Sequence, residues 1–239
     1  MLYLGDCLDV LPTLPDKSVH LILADNPYGK LKKVGWDQVI LIKPLFKQYK
    51  RLLTDGGVIC LFASQPFTSL LIVRNLSWFK YEIIWNKKAG MGFQDAKHRV
   101  LKTHENLILF SNGGCSTGSK IRMTYNPQGL VATIKKRKTA NGPSKILNDW
   151  KAYKQDPHVF TGYPKSIWEE CRVQGNHETE KPVVLLEKLI RTYSNEGELV
   201  LDNAMGSGST GVAAKNTGRL FIGIEKSEEK FKVAYQRLQ

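Results

Sequence analysis

The hydrophobic pattern changes period along the chain. Residues 19–24, VHLILA, form a short, almost wholly apolar run that predicts a strand buried on both faces and ending at Asp25-Asn26-Pro27-Tyr28. Residues 41–53 carry apolar side chains at helical spacing and stop at Asp55-Gly56-Gly57, a turn signal. The run at 58–62 predicts the next strand, residues 66–76 a helix, and residues 81–85 and 106–110 two further strands. The C-terminal part repeats this grammar, with helices at 182–193, 209–216 and 228–238 around strands at 199–201 and 220–224. Short apolar strands separated by helices imply an α/β fold, a mostly parallel sheet with helices on both faces.

The middle breaks the pattern. Residues 113–163 are rich in Ser, Thr, Asn, Gly and Lys and show little periodicity. Between Lys80 and Gly175 there are 17 Lys and Arg against 7 Asp and Glu, which is nearly all of the chain's net charge of +13. The run Lys135-Lys136-Arg137-Lys138 lies there, interleaved with Tyr125, Trp150, Tyr153, Phe160, Tyr163 and Trp168. Clustered cations among aromatic rings suit a polyanion whose bases can stack, so this stretch is expected to contact nucleic acid through Lys135, Lys136, Arg137 and Lys138. Three segments follow: residues 1–112, an insertion at 113–164, and residues 165–239.

A chain of 239 residues can bury a core without staples, and 20 Gly with 10 Pro exclude collagen-like and low-complexity classes. An enzyme of small neutral metabolites has no need of this basic excess. Cys7, Cys60, Cys115 and Cys171 form no CxxC pair, and their spacing from His98, His104 and His177 fits no zinc pattern. They read as thiols of a reducing compartment, with no metal. Asp6 and Asp9 interrupt the first apolar residues, so no signal peptide is expected, and no apolar run is long enough to span a membrane. A cytoplasmic protein is the expectation.

Two motifs carry chemistry. In residues 199–210, LVLDNAMGSGST, a strand runs into Asp202, a Gly-x-Gly turn and a helix. The glycines allow a tight turn and close approach of a ligand. Glu225 closes the next strand, 23 residues after Asp202, where a carboxylate can hold the two hydroxyls of a ribose. Asp202 would repel a pyrophosphate but suits a cationic ligand, which tilts the choice from NAD toward S-adenosylmethionine. The second motif, Asp25-Asn26-Pro27-Tyr28, sits at the carboxyl edge of the sheet, where ligands bind.

Together the motifs resemble those of the amino-group DNA methyltransferases. Asp25-Asn26-Pro27-Tyr28 resembles their Asp-Pro-Pro-Tyr signature, and residues 202–210 resemble their Asp-Pro-Phe-x-Gly-x-Gly-Thr-Thr cofactor loop. His177-Glu178-Thr179-Glu180-Lys181-Pro182 resembles the His-x-Thr-x-Lys-Pro segment before that loop, and Gly5-Asp6-Cys7 the element that reaches the cofactor adenine. Trp85-Asn86-Lys87 and His104-Glu105-Asn106 match further segments. The order, catalytic motif first and cofactor loop last, is that of the β class, a permuted Rossmann-like methyltransferase of restriction–modification type. The resemblance covers residues 4–110 and 165–238. Asn26 departs from it by standing where the family usually has Pro, although Pro27 still favours an extended backbone there.

The resemblance implies methyl transfer from S-adenosylmethionine to the N6 amino group of adenine in double-stranded DNA. Asp25 and the carbonyl of Asn26 would accept from the amino group, Pro27 would fix the turn, and Tyr28 would stack on a flipped base. Asp6, Cys7, Asp202, Ala204, Gly206, Ser207, Gly208 and Glu225 would hold the cofactor, with Lys181 offered to its methionine carboxylate. His104 and Glu105 are expected only to hold the strand that follows. The alternatives are N4-cytosine methylation, whose enzymes more often have Ser in place of Asp25, and a DNA-binding module of the same fold with weak catalysis. Protein glutamine methylation usually has Asn there. Carbon-5 cytosine chemistry is excluded because no cysteine follows a proline. A cognate restriction endonuclease and a homodimer are further partners for which the resemblance leaves room.

Overall fold

The computed structural model describes residues 1–28, 40–133, 160–169 and 180–239. The basic run 135–138, His177, Cys171, Trp150 and Tyr153 lie outside the described residues.

The elements are β1 (Leu2–Leu4), α1 (Cys7–Val10), β2 (Val19–Ala24), α2 (Ile42–Leu52), β3 (Leu53–Ala63), α3 (Phe67–Arg74), β4 (Phe79–Met91) and β5 (Lys102–Ser111). After them come β6 (Val131–Ala132), β7 (Phe160–Thr161), β8 (Ile167–Trp168), α4 (Val183–Tyr193), β9 (Leu199–Asp202), α5 (Ser209–Asn216), β10 (Leu220–Glu225) and α6 (Glu228–Leu238). Among the described residues, eight strands form one sheet in the order β1-β10-β9-β2-β3-β5-β4-β8. Strands β1, β10, β9, β2 and β3 run parallel, whereas β5 is antiparallel to both β3 and β4. The reversal follows from the sequence between β4 and β5, which holds no crossover helix and lets the chain turn straight back.

Alternation along β2 and β3 divides the core. Ile22, Ala24, Ile59, Leu61 and Ala63 face Ile42, Leu45, Phe46, Tyr49 and Leu52 of α2. Leu21, Leu23, Val58, Cys60 and Phe62 face Leu185, Leu186, Leu189 and Ile190 of α4 and Ala213 and Ala214 of α5. A strand buried on both faces has to be apolar throughout, which is why VHLILA shows no alternation. The glycines of Asp55-Gly56-Gly57 fall inside β3, where Gly56 takes φ +80°. They absorb a register shift that carries pairing from Val19↔Leu53 to Leu21↔Val58.

The chain divides into two compact units, Met1–Asn126 with Ser166–Gln239, and Pro127–Lys165. Residues 113–126 stay with the sheet: Met123 is buried, Thr124 N–H donates to the Gly56 carbonyl, and Asn126 N–H donates to the Thr192 carbonyl at 2.7 Å. The small unit contains the two-stranded pairing of β6 with β7 and the exposed rings of Phe160 and Tyr163. Two aromatics expected beside nucleic acid belong to the sheet unit instead. Trp168 is buried, with Lys188 Nζ over its ring, and Tyr125 lies 6.3 Å from Tyr193. Among the described residues, no helix is long and apolar enough to cross a membrane.

Candidate active site

The carboxyl edge of the parallel strands brings the two motifs together. Asp25 leaves β2 directly, and Asp202 closes its neighbour β9. Asp25 is half-exposed, and both of its oxygens are engaged: Tyr28 Oη donates to Oδ1, and Lys181 Nζ donates to Oδ2. The Tyr28 ring leans on Phe67, centroids 5.4 Å apart.

Lys181 is largely buried at this corner. Its ammonium lies 4.9 Å from the Phe62 ring centroid and 3.6 Å from Glu105 Oε2. Glu105 Oε1 accepts from Lys87, whose Nζ sits over the Trp85 ring at 4.9 Å. Burial alone would drive the Lys181 ammonium to a lower pKa, but Asp25 and Glu105 outweigh it and hold the value above the ordinary one. Burial likewise pushes the Glu105 carboxyl up, and Lys181 and Lys87 together bring it below its usual range. Among the described residues, Glu105 Oε2 is the buried side-chain atom left without a hydrogen bond.

Asn26, the departure from the signature, is buried. Its Nδ2 donates to Tyr49 Oη at 3.3 Å, Tyr49 Oη donates to Asn203 Oδ1 at 2.5 Å, and Asn203 Nδ2 donates back to Asn26 Oδ1 at 2.9 Å. Asn203 also stands where the resembled loop has Pro. The two positions therefore differ from the signature together, and a closed ring of hydrogen bonds satisfies their buried amides.

On the cofactor side, Gly206 and Gly208 take φ +53° and +84°, which side chains rarely adopt, and Gly208 caps α5. Asp202 is buried and Oδ1 accepts from Ala204 N–H at 3.0 Å. Burial pushes its carboxyl up to about 7. Glu225 Oε2 accepts from Gly206 N–H at 2.9 Å and Oε1 from Ser227 N–H at 2.7 Å, so one carboxylate braces the glycine turn. Ser207 Oγ accepts from Arg237 at 3.0 Å, and the same guanidinium reaches Glu180 at 2.6 Å. Asp6 caps α1 by accepting from Leu8 N–H and pairs with Lys226 at 3.0 Å; these contacts, the first foremost, hold its carboxyl below the usual range. Burial raises the Cys7 thiol to about 11, so it is a neutral neighbour there.

Residues 19–236 match the family described as DNA methylase, whose members modify N6 or N4 amino groups. The chain belongs to this DNA methyltransferase family. The DNA adenine methyltransferase YhdJ of Escherichia coli (strain K12) is 30% identical, with 98% of this chain and 81% of that protein covered. In fold, the chain resembles the complex of M1.HpyAVI with SAM at a TM-score of 0.64 and 23% identity, covering 100% and 99% of the two chains. It also resembles the cytosine-N4-specific PvuII DNA methyltransferase at a TM-score of 0.71 and 16% identity, covering 100% and 86%.

Two residues of this corner carry no signal of their own in the sequence. Tyr49 reads as one more apolar position of α2, and Glu105 as a strand residue. Glu105 shares the Lys181 ammonium with Asp25, a contact that its place in the strand does not reveal. His104 remains exposed in the ladder opposite Asn86. The signal for Glu105 and Lys87 was the pair of segments Trp85-Asn86-Lys87 and His104-Glu105-Asn106, which the ladder sets side by side.

Proposed function

We propose that this DNA methyltransferase transfers a methyl group from S-adenosylmethionine to the N6 amino group of adenine in double-stranded DNA. The observation that carries the reading is Asp25 at the sheet edge, tied through Asn26 and Asn203 to the loop that follows Asp202. An Asp opening the catalytic motif is the adenine pattern of the resembled family, and YhdJ, at 30% identity, is an adenine enzyme by name.

The residues fit the cofactor. A buried carboxylate at Asp202, raised by burial, gains from a cationic ligand, and each Glu225 oxygen keeps a lone pair for a ribose hydroxyl while bracing the turn. Asp202, Ala204, Gly206, Ser207 and Gly208 would line the methionine part, Glu225 the ribose, and Asp6 with Cys7 the adenine. When bound, S-adenosylmethionine supplies an electrophilic methyl group on a sulfonium.

The chain's own residues then act on the amino nitrogen, a poor nucleophile because its lone pair is delocalised into the purine. Two acceptors on the two amino protons help localise that pair: the Asp25 carboxylate and the Asn26 backbone carbonyl. Positive charge developing on nitrogen faces Asp25, which stabilises it. Pro27 fixes the turn, and the Tyr28 ring offers a face to a flipped base. Tyr28 and Lys181 each take one lone pair of the Asp25 carboxylate and leave one per oxygen for an amino proton, and a shift of the Lys181 ammonium off Oδ2 would strengthen Asp25 as an acceptor. Glu105 Oε2, unbonded and 3.6 Å from the Lys181 ammonium, is the place for that ammonium to go. Lys181 in this reading serves as counter-ion to Asp25.

The test is methylation of duplex DNA in vitro with labelled cofactor, followed by mass spectrometry of the nucleosides. Label in deoxyadenosine is the expected outcome. Label confined to deoxycytidine would replace the base and leave the mechanism, and no label in DNA would reject the reading.

A further inference from the structure

Strands β4 and β5 run past the rest of the sheet. β3 pairs β5 only from Asn106 to Ser111, whereas β4 continues to pair β5 at Glu105, His104 and Lys102. Because β5 is antiparallel to β3, this overhang stands at the carboxyl end of the parallel strands, the end that carries Asp25. The Met91↔Lys102 pair lies three residues beyond Glu105, about 10 Å at strand rise. The tip of the ribbon thus rises beside the corner formed by Asp25, Lys181 and Glu105.

The tip is built, and it is built around exposed side chains. Gly92 takes φ +89° and starts a short 3-10 turn at Phe93–Asp95. Asp95 closes the tip by accepting from Arg99 Nε at 3.0 Å and from a second Arg99 nitrogen at 2.5 Å, while its carbonyl accepts from His98 N–H at 2.8 Å. Leu101 packs so closely on Gly90 that an added Cβ would meet it at 2.9 Å. Yet this ordered turn leaves Phe93 69% and Val100 90% exposed. Lys88, Lys97, His98 and Arg99 are exposed in the same stretch, Lys88 paired with Glu169 at 3.4 Å and Arg99 with Asp95.

A rigid ribbon end with an exposed ring and a basic collar has the chemistry of a duplex binder. Cations take the phosphates, and an apolar side chain enters the base stack where a nucleotide leaves it. We propose that the tip at residues 88–100 is a DNA-contacting element of this enzyme: Lys97 engages a backbone phosphate beside the target, the Asp95–Arg99 pair holds the turn, and Phe93 occupies the stack while the base is turned toward Asp25. This rests on the reading of the site as a DNA-amino methyltransferase. It gives the sheet unit a DNA contact of its own, separate from the basic run in the insertion.

Two measurements test it. The first is salt dependence of binding to a mixed-sequence duplex, which needs no catalysis. Replacing Lys97 by Ala should flatten the log–log slope by about 0.9, the value for one phosphate contact. The second uses the duplex site found by sequencing modified bases in cells that express the protein. Phe93→Ala should lower the single-turnover rate about tenfold or more on the fully paired site. The loss should shrink to about twofold when the partner of the target base is replaced by an abasic position, because that target leaves the stack without help. An unchanged slope overturns the phosphate contact; an unchanged rate, or equal losses on both duplexes, overturns the role of Phe93. A wild-type protein that binds DNA with the expected slope but transfers no methyl group would instead reject the methyltransferase reading while leaving the contact in place.

Discussion

Asn203 Nδ2 donates to Asn26 Oδ1 across 2.9 Å, and this bond joins the turn after β2 to the turn after β9. The first turn presents Asp25 and the second begins the loop proposed to hold the cofactor. Two prolines would stiffen each turn separately; two asparagines, closed by Tyr49 Oη, fix the turns to each other.

Tyr49→Phe therefore tests the coupling with little change of volume. It leaves a buried donor on Asn26 and a buried acceptor on Asn203 short of a partner, a cost of about 1–3 kcal/mol. Denaturant unfolding should show that loss. The methyl-transfer rate at saturating cofactor should also fall, because Asp25 and the methyl group lose their common frame. A Phe variant with wild-type stability and rate would leave the ring of hydrogen bonds without consequence.

Asp25→Ala separates chemistry from binding. Loss of one transition-state acceptor costs about 3–4 kcal/mol, at least about a hundredfold in rate. Calorimetric affinity for the cofactor should stay nearly intact. Glu225→Ala should do the reverse and weaken cofactor binding, since it removes the brace on Gly206 together with the ribose acceptor. A variant at Asp25 that keeps about a tenth of the rate in single turnover would remove it from the reaction.

Glu105→Gln tests whether Lys181 has somewhere to go. The substitution leaves Lys87 and Lys181 with one carboxylate fewer, so stability should fall by about 3 kcal/mol or more. If that were its only role, the rate of the folded fraction would hold. With Lys181 kept on Asp25, the single-turnover rate should fall about tenfold, and Glu105→Asp should recover part of it. A destabilised Gln variant with an unaltered rate would confine Glu105 to structure.

How much of this was legible in the chain depended on whether neighbours in space were neighbours in sequence. The strand VHLILA with Asp25 at its end, and LVLD with its glycine turn, each lie within a dozen residues, so the fold and the strand–turn–helix of the proposed cofactor loop could be read directly. Tyr49 meets Asn203 across 154 positions, and Lys181 meets Asp25 across 156. Only the folded sheet edge makes those contacts visible. Trp168 shows the opposite failure: an aromatic ring counted by composition joined a nucleic-acid surface, but burial in the sheet unit claimed it. The reversal of β5 was hidden because an apolar run marks a strand without its direction.

The last prediction concerns pH. Burial, ahead of all other causes, pushes the Asp202 carboxyl from 3.8 up to about 7. The folded protein thus keeps a proton that the unfolded chain releases between about pH 4 and 7, and stability without cofactor falls as pH rises through that window, by at most about 4 kcal/mol. A cationic ligand beside Asp202 reverses the preference and favours the carboxylate. Cofactor affinity should therefore increase as pH rises from about 6 toward 8, with release of up to one proton per binding event on the acid side. Calorimetry at pH 6 in buffers of different ionisation enthalpy counts that proton. Asp202→Asn, which cannot ionise, should bind more weakly at pH 8 and show neither the proton release nor this part of the pH dependence. A wild-type enzyme that binds cofactor at pH 6 without releasing a proton would place the cation away from Asp202, and the assignment of this carboxylate to the methionine part would fall with it.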